Sequence, residues 1–466
     1  MSSTPRRPAG NSAASRDIAH VLHPYTNLKM HEQDGPLIVT AGKGVHVYDE
    51  DGRDYIEAMA GLWCTALGFD EPRLVETAAT AMARLPFYHL FGGKSHGPGI
   101  DLAERLIGLA PVPMSKVFFA NSGSEANDSA IKLVWYYNNA LGRPAKKKII
   151  SRRRAYHGVT IATASLTGLP INQRDFDLPI AGILHTDCPH HWRNAEPGES
   201  EEQFATRLAD ALDRLIEDEG PETVAAFIAE PVMGAGGVIV PPRGYFDKIQ
   251  RVLKKHDVLF IVDEVICGFG RTGAMFGCQT FGLEPDMITV AKALSSAYLP
   301  ISALMIAEPI YRAIAENSAK IGTFGHGYTY SGHPVCAAVA LEALAIYAER
   351  DIVGHVRRVM GRLQDGLRAH AGAPLVGEVR GVGLIAAVEL APDSSGRTAF
   401  DPPGKVGAAL ARFAQARGLI VRNMQDTIAF APPLVITEAE IDEVLRRFAL
   451  ALGDTRDWAA RGRLIG

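Results

Sequence analysis

The sequence predicts an α/β protein, with a large domain built on a mostly parallel sheet flanked by helices and a smaller α+β domain. Three observations predict it. From about residue 70 to 310, apolar strand-like runs alternate with helical patterns, as in a parallel sheet covered on both faces. The runs are continuous rather than alternating, as in Val258-Leu259-Phe260-Ile261-Val262, which suits strands buried on both sides. After about Gly332 the pattern shifts to long helices with few short strands, the pattern of a separate α+β unit.

Taken in order, residues 1–16 are rich in Ser, Pro, Ala and Arg and read as a disordered tail without an apolar leader. Residues 17–65 form an N-terminal segment contributing to the small domain. It carries short strands at Leu37–Thr40, Val45–Tyr48 and Tyr55–Glu57, with Asp51-Gly52 as a turn. The large domain spans 66–330. Its strand candidates are Lys116–Ala120, Lys148–Ser151, Val224–Ala229, Val258–Val262, Met287–Ala291 and Ile301–Ile306. Helical stretches such as Ala126–Leu141 and Tyr245–His256 lie between them. The small domain covers 331–466, with helices at Val335–Arg350 and Ile352–His370 and a strand at Leu384–Leu390.

Composition excludes several classes. The chain has 466 residues, 47% hydrophobic and 21% charged, with formal net charge −4. That is an ordinary well-packed composition, and the charge argues against nucleic-acid binding. No window is apolar over a membrane-spanning length; Val224 to Pro242 is broken by Glu230, Pro231 and glycines. Five scattered cysteines fit reduced thiols in a cytoplasm rather than a disulfide framework. His185, Cys188, His190 and His191 match no zinc spacing well and read as a loop without metal. The basic runs Lys146–Lys148 and Arg152–Arg154 read as solvated strand ends.

Chemistry gathers at strand ends. Asp263 and Lys292 each end an apolar run and would sit at the carboxyl edge of the sheet, where open α/β folds bind ligands. There they could pin two ends of one cofactor, Lys292 as a Schiff-base amine and Asp263 as partner of a ring nitrogen, the layout of a pyridoxal phosphate enzyme. A buried Asp–Lys ion pair accounts equally well for these two residues alone. Asn121-Ser122-Gly123-Ser124-Glu125-Ala126-Asn127 follows a strand and opens a helix, which makes a phosphate site or simply an N-cap with a turn. Tyr156-His157-Gly158 places an aromatic ring where it could stack on a planar cofactor or pack at a loop.

These segments, with Asp263-Glu264-Val265, Gly268–Gly273 and Lys292, occur in an order that resembles the class III aminotransferases of fold type I. The resemblance runs from about Gly35 to Leu452. It is nearest the amine–pyruvate branch, the ω-transaminases, to which Gly61–Cys64, His326–Pro334 and Pro432–Leu434 are also similar. It implies pyridoxal 5'-phosphate as cofactor, with Lys292 as Schiff-base amine and proton shuttle and Asp263 on the pyridinium nitrogen. Val265 and Tyr156 would face the ring, Ser122, Gly123 and Ser124 would bind phosphate, and His157 and Glu230 would lie nearby. Thr329 is similar to a threonine that reaches the phosphate of a partner subunit, which implies a homodimer with shared sites, with a tetramer possible.

For substrates, Arg422 resembles a mobile arginine that binds a carboxylate and swings away for apolar amines. Trp63, Phe91 and Tyr156 would wall the pocket. Where the 4-aminobutyrate and ornithine branches place a glutamate five positions after the Glu-Pro motif, this chain has Ala235, which favours pyruvate as acceptor. Lys94 stands where some relatives have arginine. The expected reaction is amino transfer from a primary amine or ω-amino compound to pyruvate, with ping-pong kinetics. A 2-oxoglutarate-dependent ω-amino acid aminotransferase, a decarboxylase and an aminomutase are the alternatives, and no metal, membrane or nucleic acid is expected.

Overall fold

A computed structural model describes residues 10–393 and 397–465. Its centre is a seven-stranded sheet: β1 (Lys116–Ala120), β2 (Lys148–Arg152), β3 (Ile183–Thr186), β4 (Val224–Ala229), β5 (Leu259–Asp263), β6 (Met287–Val290) and β7 (Ser302–Ile306). The strand order is β1-β7-β6-β5-β4-β2-β3. The pairs from β3 to β6 are parallel, whereas β7 runs antiparallel to both β6 and β1. The reason is connection length. Only a short segment joins Val290 to Ser302, carrying a single 3₁₀ turn, Lys292–Ser295, too little for a parallel crossover helix.

Six of these strands are the ones read from continuous apolar runs. Every residue of β4, β6 and β7 is buried, the condition that removes polar alternation from the sequence. The run that escaped was β3, an edge strand with half-buried Leu184 and His185 and hence a weak apolar signal. Helix Gly123–Ala140 begins three residues earlier than its apolar pattern, because Ser122 caps it by accepting from the amide of Glu125.

Two readings need correction. The basic runs are only in part solvated strand ends: Arg153 is exposed, but two of their members go inside. Arg152 is fully buried and donates through Nη2 to the Glu230 carbonyl at 2.7 Å. Lys146 is buried too, with Nζ on the carbonyls of His256 and Pro221 at 3.2 and 3.3 Å. Long apolar stems let both side chains cross the interior while their charged ends satisfy chain carbonyls. Part of the tail read over 1–16 is helical: Ser12 caps a helix, Ala13–His20, while residues 1–9 lie outside the described residues.

Two smaller sheets flank the centre. One joins Val39–Lys43, His46–Asp49 and Asp54–Glu57 to Leu419–Ile420, so the chain's start and its last third share a sheet. The other joins Val376–Val382, Ile385–Leu390, Thr427–Phe430 and Arg422–Met424, with Arg422 opening the edge strand against Ala429. Helix Pro334–Glu349 packs on Pro72–Arg84, Gly97–Leu109 and the turn bearing Lys292. Its Tyr347 hydroxyl donates to the Ala293 carbonyl at 2.5 Å. Among the described residues no helix is long and apolar enough to cross a membrane.

Gly168 shows how closely the loop after β2 is held. A Cβ there would lie 2.3 Å from the Arg152 carbonyl oxygen and 2.7 Å from the Arg154 nitrogen. Both are backbone atoms, which cannot swing aside. Gly168→Ala is therefore expected to lower stability by about 1–3 kcal/mol, the usual toll of overpacking, read as a fall in the thermal unfolding midpoint.

Candidate active site

β5 and β6 are neighbours, and Asp263 lies opposite Thr289 in their register. β6 ends at Val290, so Lys292 leaves the sheet at the edge where β5 delivers Asp263. Between them opens a cavity of about 560 Å³. Of the residues singled out from sequence, Ser122, Gly123, Ser124, Tyr156, His157, Glu230, Asp263, Val265 and Lys292 all line it. Residues from the ends of five strands thus converge on one volume, at the carboxyl edge where α/β sheets bind ligands.

Asp263 is buried and its carboxylate is fully engaged. Oδ2 accepts from Asn127 Nδ2 at 2.7 Å and from His157 Nδ1 at 2.8 Å. Oδ1 accepts from the Val265 amide at 3.1 Å. Asn127 also donates to the His157 carbonyl at 2.8 Å, tying the loop after β2 to the helix after β1. Glu230 is the second buried carboxyl, accepting from the amides of Tyr156 at 3.1 Å and Gly234 at 2.9 Å. Burial raises its pKa.

Lys292 sits on strained backbone. Its φ is +49°, and Ser296 and Ala297 follow at +51° and +62°, a left-handed region that non-glycine residues occupy rarely and mostly at functional sites. Burial lowers the pKa of its amine, opposed by the Asp263 carboxylate, Cys64 and Glu230. The net effect is to make a neutral, nucleophilic amine more available.

The helix after β1 presents its first amides to the cavity. Ser122 Oγ satisfies Glu125 N, and Ser124 Oγ accepts from Val159 N at 3.2 Å. The amides of Gly123 and Ser124 have no acceptor among the described residues, and orphan donors at a helix start suit an anion such as phosphate. Gly123 also permits close approach, since a Cβ there would lie 3.1 Å from Val265 Cγ1. Gly158, at φ +136°, lies so near Ser124 and Thr163 that a Cβ would come within 2.6 Å of both hydroxyls.

Arg422 is half-buried on its edge strand. Burial lowers its pKa, Tyr156 and Tyr25 oppose this, and its charge reaches Lys292. Its guanidinium makes no hydrogen bond or ion pair among the described residues. A sheltered guanidinium without a carboxylate is an available anion partner.

The remaining sequence candidates lie outside the cavity lining. Trp63 is buried in an apolar cluster with Met59, Val232, Ile266 and Cys267, while its neighbours Leu62 and Cys64 line the cavity. Phe91 is exposed and rests on the loop of Thr329: a Cβ on Gly327 would lie 2.9 Å from the Phe91 ring. Thr329 is exposed as well, as are Lys94 and the aromatic rings of Phe87 and Tyr330, which meet edge to face at 5.7 Å. Ala235 is half-buried just beyond Gly234.

Among the lining residues given no role from sequence are Asn127 and Cys64. Asn127 was inside the recognised motif, and its position one helical turn after Gly123 was the available signal. Cys64 closes the Gly61–Cys64 segment, whose likeness to the family was the only signal. Tyr25 comes from the N-terminal segment and acts electrostatically on Tyr156, a contact that no spacing announces.

A seven-stranded mixed sheet with a buried carboxylate, a depressed lysine and an anion-ready helix start defines a pyridoxal phosphate enzyme of the aminotransferase fold. The chain belongs to the class III aminotransferases: residues 29–452 match the family described as Aminotransferase class-III. It is a pyridoxal phosphate-dependent enzyme. It is 54% identical over 436 residues to gamma aminobutyrate transaminase 1, mitochondrial, of Solanum lycopersicum, which covers 93% of this chain and 85% of that one. Among solved structures it is similar to the omega transaminase from Pseudomonas jessenii in complex with PMP, with TM-score 0.96 and 57% identity over 97% of this chain and 100% of that one. A transaminase with L-ala matches at TM-score 0.90 and 59% identity, over 90% of this chain and 99% of that one.

Two measurements follow from this geometry. Asn127→Ala removes one of three donors to the Asp263 carboxylate and is expected to weaken retention of pyridoxal phosphate about ten- to a hundred-fold, in line with the ~1.5–3 kcal/mol of a hydrogen bond to a charged group. Titrating the cofactor-free variant by fluorescence checks it; unchanged affinity would exclude that role. The lowered pKa of Lys292 means that its neutral form persists to lower pH than for an ordinary lysine. The rate at which cofactor-free protein takes up pyridoxal phosphate should therefore rise with pH and level off below the ordinary lysine value, measured by stopped-flow absorbance.

Proposed function

We propose that this aminotransferase moves an amino group from a primary amine or ω-amino compound to pyruvate, releasing an aldehyde or ketone and alanine. The unpaired guanidinium of Arg422, whose charge acts on both Lys292 and Tyr156, carries the reading. A small 2-oxo acid brings one carboxylate, which that guanidinium can take in a bidentate pair. Two further points support pyruvate. Ala235 leaves Arg422 without the glutamate partner of the 2-oxoglutarate-using branches, and a transaminase 59% identical to this chain is described with L-ala. The curated relatives transaminate gamma-aminobutyrate, which supports ω-amino acids among the donors.

Bound pyridoxal phosphate supplies a carbonyl for the substrate amine and a cationic ring that accepts the electrons of the Cα–H bond. Lys292 would anchor the cofactor through its amine, and its neutral form could hold and move a proton within the cavity. Asp263, oriented by Asn127 and His157, keeps the ring nitrogen protonated. Gly123 and Ser124 hold the phosphate through their amides, with Ser122 capping the helix. Val265 and Tyr156, both in the cavity lining, would hold the ring, and Glu230 fixes the Tyr156 and Gly234 backbones beside it. Leu62, Ile266 and Leu299 add apolar lining to the cavity.

A homodimer completes the site in this reading. Thr329 and Phe91 share one exposed face with Phe87 and Tyr330, and from there they serve the partner's cavity, while Trp63 backs the wall through Ile266. The domain division at about residues 65 and 330 is retained, and the free thiols of all five cysteines support a reducing cytoplasm.

Offered an amine panel with pyruvate and 2-oxoglutarate in competition, the enzyme should form alanine rather than glutamate; glutamate as the main product would overturn the acceptor. Arg422→Ala should lower kcat/KM for pyruvate about a hundred-fold, near 2.7 kcal/mol, and spare an amine that has no carboxylate. Lys292→Ala should abolish turnover. Mixing Lys292→Ala and Thr329→Ala subunits would restore part of the activity only if sites are shared between chains.

A further inference from the structure

Among the described residues three groups of His, Asp and Glu place ligand atoms within 4.8 Å of one another. Two of them already hold a cation. In the group of His190, Glu378 and Glu389, the guanidinium of Arg380 pairs with both carboxylates and that of Arg193 with Glu389. In the group of Asp213, Glu217 and His256, the Lys255 ammonium lies 2.9 Å from Asp213 and 3.4 Å from Glu217. A metal ion would have to displace those charges.

The third group differs. Asp17, His23 and His31 have no arginine or lysine partner: the groups acting on Asp17 are the two histidines. His23 Nε2 lies 2.8 Å and His31 Nε2 3.0 Å from the same carboxylate oxygen, Oδ1. The side chains are sheltered, with exposures of 18% for Asp17, 26% for His23 and 10% for His31. Two imidazole nitrogens and one carboxylate oxygen match the donor set of a tetrahedral zinc site with one open position. With bonds of about 2.0–2.1 Å, tetrahedral ligand atoms lie about 3.3 Å apart. The two histidine–carboxylate distances thus need to open by only a few tenths of an ångström, and all three ligand atoms already lie within 4.8 Å of one another.

We propose that Asp17, His23 and His31 form a divalent-cation site, of zinc type, that staples the N-terminal strap over the active site. The three ligands come from three pieces of chain: helix Ala13–His20, the loop after it, and helix Leu28–Asp34. The loop between His23 and His31 carries Tyr25, at φ +50°, whose hydroxyl accepts from the Asn172 side chain and acts electrostatically on Tyr156. An ion joining both sides of this loop removes chain freedom and holds Tyr25 against Tyr156. The inference stands on the strap's own residues and does not require pyruvate as acceptor.

The test uses holoenzyme stripped of metal by a chelator and then dialysed, titrated with Zn²⁺ by calorimetry. One ion per chain should bind, with Asp17→Ala and His31→Ala each weakening Kd by at least about ten-fold, the lower end of what disturbing a metal site does, and His20→Ala leaving it unchanged. Co²⁺ in the wild-type enzyme should give the intense visible bands of a tetrahedral site, and Zn²⁺ should slow proteolysis within residues 17–31 of the wild type only. No stoichiometric binding, equal binding in the Asp17 and His31 variants, or a pale octahedral Co²⁺ spectrum overturns the site. Unchanged proteolysis with Zn²⁺ bound overturns the staple.

Discussion

Burying a carboxylate at the end of β5 is the constraint around which the site is organised. An isolated ionised carboxyl in a protein interior would simply take up a proton. Asp263 is instead held by three donors, from Asn127, His157 and Val265, each on a different element. Supplying them requires the helix after β1 and the loop after β2 to close on the same point. The short link from Asn127 Nδ2 to the His157 carbonyl fixes those two elements to each other. Much of the cavity's shape follows from satisfying that one buried charge.

The same economy governs its surroundings. Glu230 uses its side chain to hold Tyr156 and Gly234 and its carbonyl to receive the buried Arg152 guanidinium. Lys292 stands on left-handed backbone that an unconstrained chain would leave. Two supports hold the turn in place: the Tyr347 hydroxyl on the Ala293 carbonyl, and Ser296 Oγ on the Leu67 amide at 2.8 Å. Strain at the amine is thus balanced by packing from the helix of residues 334–349 and from the N-terminal part of the chain.

Much of this was legible in residue order. Strands buried on both faces produce unbroken apolar runs, so six of seven sheet strands could be read, and the glycines and hydroxyls before residue 125 marked a helix start facing an anion. The edge strand Ile183–Thr186 was not legible, because a half-buried edge mixes polar and apolar residues. The direction of β7 was not legible from its composition, which is that of its parallel neighbours. Basic triplets misled for a related reason: charge in a sequence says nothing about whether a long stem can carry it inward to a carbonyl.

By itself, the sequence determined which strands are buried, where the sheet's carboxyl edge lies, and which residue types reach it, since these follow from local periodicity and turn chemistry. Only the tertiary structure decided who meets whom. Asn127 and Asp263 are 136 residues apart, and His157 and Asp263 106. Tyr25 finds Tyr156, and Arg422 is left without a carboxylate. Such pairings depend on how sheets and helices stack, a long-range outcome of packing that no local pattern encodes.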